Sequence, residues 1–238
     1  MDRYRKTLYS IERIVRSLRV DLEAELLGKG SGGVAGSGGP IIVQSGLDTL
    51  LSERNPIADM ELLPRQEIAH GVSCSYNHER AGTRIRAKCV SFDAEQPDDK
   101  PSSCLLLTPE FNPKNMPEWM TLETNLDVAA LNRIKSLELR FMPHFRYAAG
   151  ERLGNFNMNF RVSAPQGGAQ TYLDFGHRSF PSLAVPLELT YSISEAQWAE
   201  IPLATATEAR ILLNLPLWSE VDYSMALSFF EVSGPRRN

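Results

Sequence analysis

Two hydrophobic periods divide the chain. From Tyr4 the apolar positions run through Leu8, Ile11, Val15, Leu18 and Leu22, a 4-3-4-3-4 spacing that lines one stripe of an α-helix with heptad period. Arg3, Arg5, Lys6, Glu12, Arg13, Arg16 and Arg19 fill the other faces, and neither proline nor glycine interrupts the run before Gly28. The pattern predicts a helix over 1–27. A long helix with so narrow a seam has nothing of its own to bury that seam against. The seam Tyr4, Leu8, Ile11, Val15, Leu18 and Leu22 is therefore expected to drive self-association, with a trimer preferred, or docking into a larger assembly. The alternative is a helix packed on its own domain.

Further along the chain the period becomes two. Leu137, Leu139 and Phe141 alternate with Glu138 and Arg140, and Phe156, Met158, Phe160 and Val162 alternate with Asn157, Asn159 and Arg161. Leu187, Leu189, Tyr191 and Ile193 repeat the pattern, as do Ala209, Ile211, Leu213 and Leu215, and finally Tyr223, Met225, Leu227 and Phe229. With "GTRIRAKCVSF", "CLLLTPEF" and "TYLDFG" this predicts eight or nine half-buried strands and scarcely any amphipathic helix between them. A parallel α/β fold needs helices between its strands, so the expected class is mainly β, an antiparallel sandwich of jelly-roll type behind an N-terminal α-helix. Residues 46–68, broken by Pro56 and Pro64, read as a connecting element with one or two helical turns. The expected divisions are 1–27 heptad helix, 28–40 connector, 41–131 connecting and β-rich segment, and 132–238 sandwich domain.

The tract "GKGSGGVAGSGGP" at 28–40 spells G-x-G-x-x-G through Gly28, Gly30 and Gly33. A dinucleotide fingerprint needs a strand before its first glycine and a helix after its last, because the pyrophosphate rests on that helix's N-terminus. Here a helix leads in and the strand-like "PIIVQSG" leads out. The tract is therefore a connector.

Composition narrows the partners. The 238 residues carry a formal net charge of -4, against the basic field that non-specific nucleic-acid or acidic-membrane binding requires, so no nucleic acid is expected. No run approaches the roughly 20 apolar residues of a membrane span, so no membrane insertion is expected. The charged first 28 residues contain no signal-peptide core, and synthesis in the cytoplasm without a signal peptide is expected. Cys74, Cys89 and Cys104 are an odd number, which fits reduced thiols.

Candidate chemistry is sparse. "HGVSCSYNH" brings His70, Cys74 and His78 to i, i+4 and i+8, but structural zinc sites pair their ligands two to four residues apart, so no metal and no cofactor is expected. No G-x-S-x-G elbow is present, and "DFGHRSF" around His177 lacks every companion motif of a kinase, leaving a turn after a strand and no catalytic residue. Sugar binding, in contrast, needs an aromatic platform for the C–H face of a pyranose and planar amide or guanidinium groups for its hydroxyls. Asn157, Asn159 and Arg161, on the outward side of one predicted strand, supply the polar groups, and Trp119 in "TPEFNPKNMPEW" supplies a platform. Trp198 and Trp218 lie among apolar residues and are expected in the core.

From about residue 132 to 233 the strand pattern and aromatic placement resemble jelly-roll carbohydrate-binding modules. The whole plan of heptad helix, glycine connector and β-rich body resembles virion fibre, spike and other attachment proteins. These resemblances imply a non-enzymatic structural or attachment protein of a larger assembly, such as a virion, whose sandwich contacts partner proteins or a surface glycan. A free-standing carbohydrate-binding module is the alternative, and a β-sandwich enzyme such as a glycan-active hydrolase the second alternative. If the seam assembles the protein, light scattering should find an oligomer for the full chain and a monomer for a chain beginning at Pro40. Ile11→Asp combined with Leu18→Asp should dissociate it in the same way with the sandwich still folded; a full chain that is monomeric at all concentrations would remove self-association.

Overall fold

Alternation along the chain becomes thirteen strands among the described residues, all paired antiparallel. The structure, a computed structural model, describes residues 39–52, 57–77, 84–92, 102–112, 116–147, 153–164, 170–181, 188–217 and 223–237. The expected heptad helix over 1–27 and the connector up to residue 38 lie outside the described residues, as does Trp218. The chain opens with β1 (Ile41–Val43) and α1 (Gly46–Ser52), followed by β2 (Ile57–Leu62), β3 (Gln66–Ala69), β4 (Val72–Tyr76), β5 (Arg84–Phe92) and β6 (Ser102–Glu110). Next come β7 (Met120–Asn125), α2 (Val128–Leu131), β8 (Leu137–Tyr147), β9 (Leu153–Ser163), β10 (Thr171–Pro181) and β11 (Leu189–Ile193). It closes with α3 (Glu195–Ala199), β12 (Glu208–Asn214) and β13 (Tyr223–Gly234).

The first sheet runs β11-β8-β13-β6-β5-β2, with β1 paired to the last residues of β13. The second runs β10-β9-β12-β7-β4-β3. Along these orders each sheet joins three strands from after residue 131 to three from before it, through the β13–β6 and β12–β7 pairings, so 41–131 and 132–238 build one sandwich and not a connecting segment with a separate domain.

Each sheet contributes every second side chain to the space between them. Leu137, Leu139, Phe141 and Phe145 of β8 face Met158, Phe160 and Val162 of β9 and Ala209, Ile211 and Leu213 of β12 in one continuous core. Trp198, fully buried as expected, packs against Phe160 with ring centroids 5.4 Å apart. Its indole N–H donates to the Ile134 carbonyl at 3.1 Å, so the one polar atom it buries is satisfied. A capping box between Ser194 and Gln197 starts the short α3 that carries it. α1 turns Leu47, Leu50 and Leu51 inward, and the Leu47 N–H donates to the buried Thr124 hydroxyl at 2.9 Å, tying α1 to β7.

Three departures from the expected pattern have local causes. Residues 57–62 and 66–69 are strands and not part of a helical connector, joined by a β-turn that Gln66 N–H closes onto Leu63 O at 3.0 Å. Its third residue, Arg65, has φ 63°, the left-handed region that Pro64 at the second position and a type II geometry impose. A side chain other than glycine there costs on the order of 1 kcal/mol. "DFGHRSF" lies inside β10 and is no turn after a strand; the register of β10 on β9 shifts between Asp174 and His177. In β13 a second irregularity between Leu227 and Phe230 reverses the alternation, so Phe230, Val232 and Gly234 face inward while Phe229 is left half-buried. Trp198→Ala should lower the unfolding free energy by about 3–5 kcal/mol, measured by chemical denaturation; a loss under about 1 kcal/mol would show that the core does not depend on this side chain.

Candidate functional site

The strand register turns the outward face of the second sheet into ordered rows. Asp174, Asn159, Leu212, Glu123, Ser73 and Glu67 lie side by side across all six strands. One row over stand Tyr172, Arg161, Arg210 and Asn125, and on the other side Asn157, Asn214, Thr121 and Ser75. Leu212 is the one apolar side chain in these rows. A face this polar, on a sheet whose other face packs into the hydrophobic core, follows from the two-residue alternation of β4, β7, β9 and β12.

A cleft of about 570 Å³ opens over this face. Arg65, Glu67, Ser73 and Ser75 line it from the β3–β4 side and Arg210 and Arg161 from the β12–β9 side. Thr121, Glu123 and Asn125 of β7 contribute to its lining between them, with Trp119 immediately before that strand. Trp119 is 42% exposed, a large aromatic surface left in solvent beside polar side chains.

Charge organises the lining. Arg161 and Arg210 stand directly opposite each other on adjacent strands, an arrangement that repels unless an anion intervenes. Glu123 is that anion: Oε2 accepts from Arg161 Nη2 at 3.3 Å and from Arg210 Nη1 at 3.1 Å, and Oε1 accepts from the Thr121 hydroxyl at 3.2 Å. Its side chain is 8% exposed against 18% for Arg161 and 27% for Arg210, so the carboxylate is the buried member and the guanidinium groups reach the cleft. Arg210 also donates through Nε to Glu208 Oε1 at 2.7 Å. Burial alone would lower the pKa of Arg210, but its bonds to Glu208 and Glu123 outweigh that and raise it. Arg161 is less fully used. Its Nε is a buried donor with no acceptor, and on the same strand the buried Asn157 Oδ1 is an acceptor with no donor.

Of the residues expected to bind a glycan, Trp119 and Arg161 meet in the cleft lining. Asn157 and Asn159 share the β9 face but are not part of that lining. Arg65, Glu123 and Arg210 were not anticipated. Glu123 sits in "MTLETN" and Arg210 in "EARILLN", both alternating strands, but a register that pairs β7 with β12 is not visible in either segment alone. His70 is exposed in the turn between β3 and β4, whereas Cys74 points into the core with its thiol pushed up to about 12 by burial and by the Glu123 charge. The two therefore do not converge, and His78 lies outside the described residues. Cys74, Cys89 and Cys104 are all buried and unpaired.

No protein-family model matches this chain, and no curated protein matches it. Among solved structures it is similar to the CBM22-1 xylan-binding domain from Paenibacillus barcinonensis Xyn10C, at 11% identity and a TM-score of 0.44, over 86% of this chain and 100% of that one. The CBM22-1-CBM22-2 tandem domain of the same protein is similar at 11% identity and 0.42, over 77% of this chain and 47% of that one. The C-terminal family 22 carbohydrate binding module of Clostridium thermocellum Xyn10B is similar at 11% identity and 0.40, over 70% of this chain and 87% of that one. Likenesses at these scores carry no weight for what the cleft binds.

Removing Glu123 would leave two guanidinium groups facing each other without their anion. Glu123→Ala should cost about 3 kcal/mol in chemical denaturation, the lower end for a broken buried pair because the arginines keep some solvent. Combining Glu123→Leu with Arg161→Met and Arg210→Met should recover most of that loss. A cost below about 1 kcal/mol for Glu123→Ala would show that water already compensates the arginines.

Proposed function

We propose that the protein is a non-catalytic carbohydrate-binding module, and that the cleft on the outward face of the second sheet is its glycan site. One observation carries the reading: an exposed indole, Trp119, shares an open cleft with a floor of hydroxyl, amide, carboxylate and guanidinium groups held in fixed rows. The indole offers a flat apolar surface for the C–H face of a sugar ring. The rows offer planar groups that can donate to and accept from its hydroxyls, already oriented by a rigid sheet.

The same floor is poorly suited to hydrolysis. A glycosidase needs one carboxyl group able to give a proton and a second able to attack or to activate water. Glu123 is committed to two guanidinium groups and a hydroxyl, and Glu67 Oε1, the other carboxylate in the lining, accepts from the Gly71 N–H at 3.3 Å. Both act as acceptors that hold the site's shape. The assembly and virion reading depends on the heptad seam, outside the described residues, and no feature of the sandwich favours it.

Affinity electrophoresis against soluble xylan, β-glucan, mannan and polyuronates, followed by calorimetry on whichever retards the protein, tests the reading. Trp119→Ala should weaken binding at least tenfold, about 1.4 kcal/mol, with the melting temperature unchanged because the side chain is exposed. Wild-type protein that no polysaccharide retards, or binding indifferent to Trp119→Ala, would overturn it.

A further inference from the structure

The turn between β2 and β3 is built against local preference. Pro64 at its second position sets up a type II shape, whose third position favours glycine or asparagine. Arg65 occupies that position instead, the one non-glycine residue with positive φ among the described residues. Nothing in the turn needs an arginine. Its two hydrogen bonds run between Leu63 and Gln66: Gln66 N–H to Leu63 O at 3.0 Å, and Leu63 N–H to Gln66 Oε1 at 2.8 Å. Strain of this kind persists where a side chain has work to do in that place.

The Arg65 side chain lines the cleft. Within the cleft lining, Arg161 and Arg210 each pair with a carboxylate, but no described residue pairs with the guanidinium of Arg65. It is a cation without a counter-ion among the described residues, on the side of the cleft opposite Arg161. Arg65 N–H donates to Cys74 O at 3.0 Å, which anchors the turn beside β4, and three strand steps separate β4 from β9. Arg65 stands immediately before β3, one step beyond β4, so at about 4.8 Å per step its backbone lies about 19 Å from that of Arg161 across the strands, one at each side of the cleft.

The carboxylates are unevenly engaged. Glu123 is shared between Arg161 and Arg210, and Glu208 pairs with Arg210 as well, so the charge of these two arginines is met within the protein. Arg65 is the cation of the lining that no described carboxylate engages, on a chain of net charge -4. The protein as a whole repels polyanions, so an anionic ligand gains only where it meets a cation at close range.

We propose that the cleft selects an acidic glycan, a polysaccharide carrying uronate carboxylates, and that Arg65 is the specificity-determining residue that receives a carboxylate. This rests on the carbohydrate reading and names the class of ligand within it. A guanidinium presents paired donors that match a carboxylate, and a rigid turn aims them without the entropy cost of ordering a mobile loop. Arg161, which also lines the cleft, serves the oxygen atoms of the sugar at the far side through the guanidinium edge that reaches the cleft.

The test uses glucuronoxylan, polygalacturonate and alginate, each beside the same polymer after chemical reduction of its carboxylates to alcohols. Wild-type protein should bind at least one acidic polymer tenfold or more tightly than its reduced form, with the difference shrinking in high salt. Arg65→Gly should abolish that preference while raising the melting temperature by about 2–4 °C, because glycine suits the turn; Arg65→Lys should retain part of it. Equal binding of acidic and reduced polymers by wild type, or a preference that survives Arg65→Gly, overturns the assignment and leaves the Trp119 site standing. Failure to bind any polymer, acidic or reduced, overturns the carbohydrate reading together with it.

Discussion

Burial of every second side chain between two sheets is the constraint on which everything else in the sandwich depends. Strands that must present an apolar face inward are free to present any chemistry outward, and the second sheet uses that freedom fully. β7 shows the division within six residues: Met120, Leu122 and Thr124 face the core while Thr121, Glu123 and Asn125 face the cleft. A one-residue slip of β7 would exchange those sets, placing Glu123 in the core and Leu122 in the cleft. The hydrophobic core therefore holds the cleft in register, and the site needs no loop to position its floor.

That arrangement explains how charged groups tolerate so dense a surface. Arg161 and Arg210 are directly opposed only because β9 and β12 pair in the register their inward residues demand. The cost of that juxtaposition is offset by Glu123, one strand further on and one row displaced, where its carboxylate can reach both. Each of the three sits on a different strand, so the network also ties β9, β12 and β7 together on the outer side. It stabilises relative to losing one partner, which is a different statement from stabilising relative to an apolar surface. The inward residues fix the strand register without this network, so the fold alone does not call for it.

Much of the sandwich was legible in the chain because period-two alternation records burial directly. β8, β9 and β12 run where Leu137, Met158 and Ile211 predict, and Trp198 lies in the core as its apolar neighbours imply. The chain hides what depends on pairing between distant segments. β2 and β3 were obscured by Pro56 and Pro64, which break a helical pattern without announcing that strands replace it. Phe229 was misplaced by a bulge that no local signal in "SMALSFFEV" records. Trp119 and Arg161 could be proposed singly, each from its own segment, whereas Glu123, 38 positions before Arg161, joins it only through two strand pairings.

Several places where local rules are broken meet at the cleft. An arginine holds a turn position that suits glycine, two arginines oppose each other across a strand pair, and Arg161 Nε and Asn157 Oδ1 are buried without partners. A large indole is left in solvent at the same cleft. Arg65, Arg161, Arg210 and Trp119 all line the one cleft, and Asn157 stands beside it on β9. Sequences drift toward local consistency where only folding is at stake, so a cluster of costly choices on one surface needs a benefit that folding does not supply. The proposed contact with a glycan would supply one: a guanidinium in a rigid strained turn and an indole beside fixed polar rows would enter a complex already ordered, so that stability given up in the free protein would return as affinity.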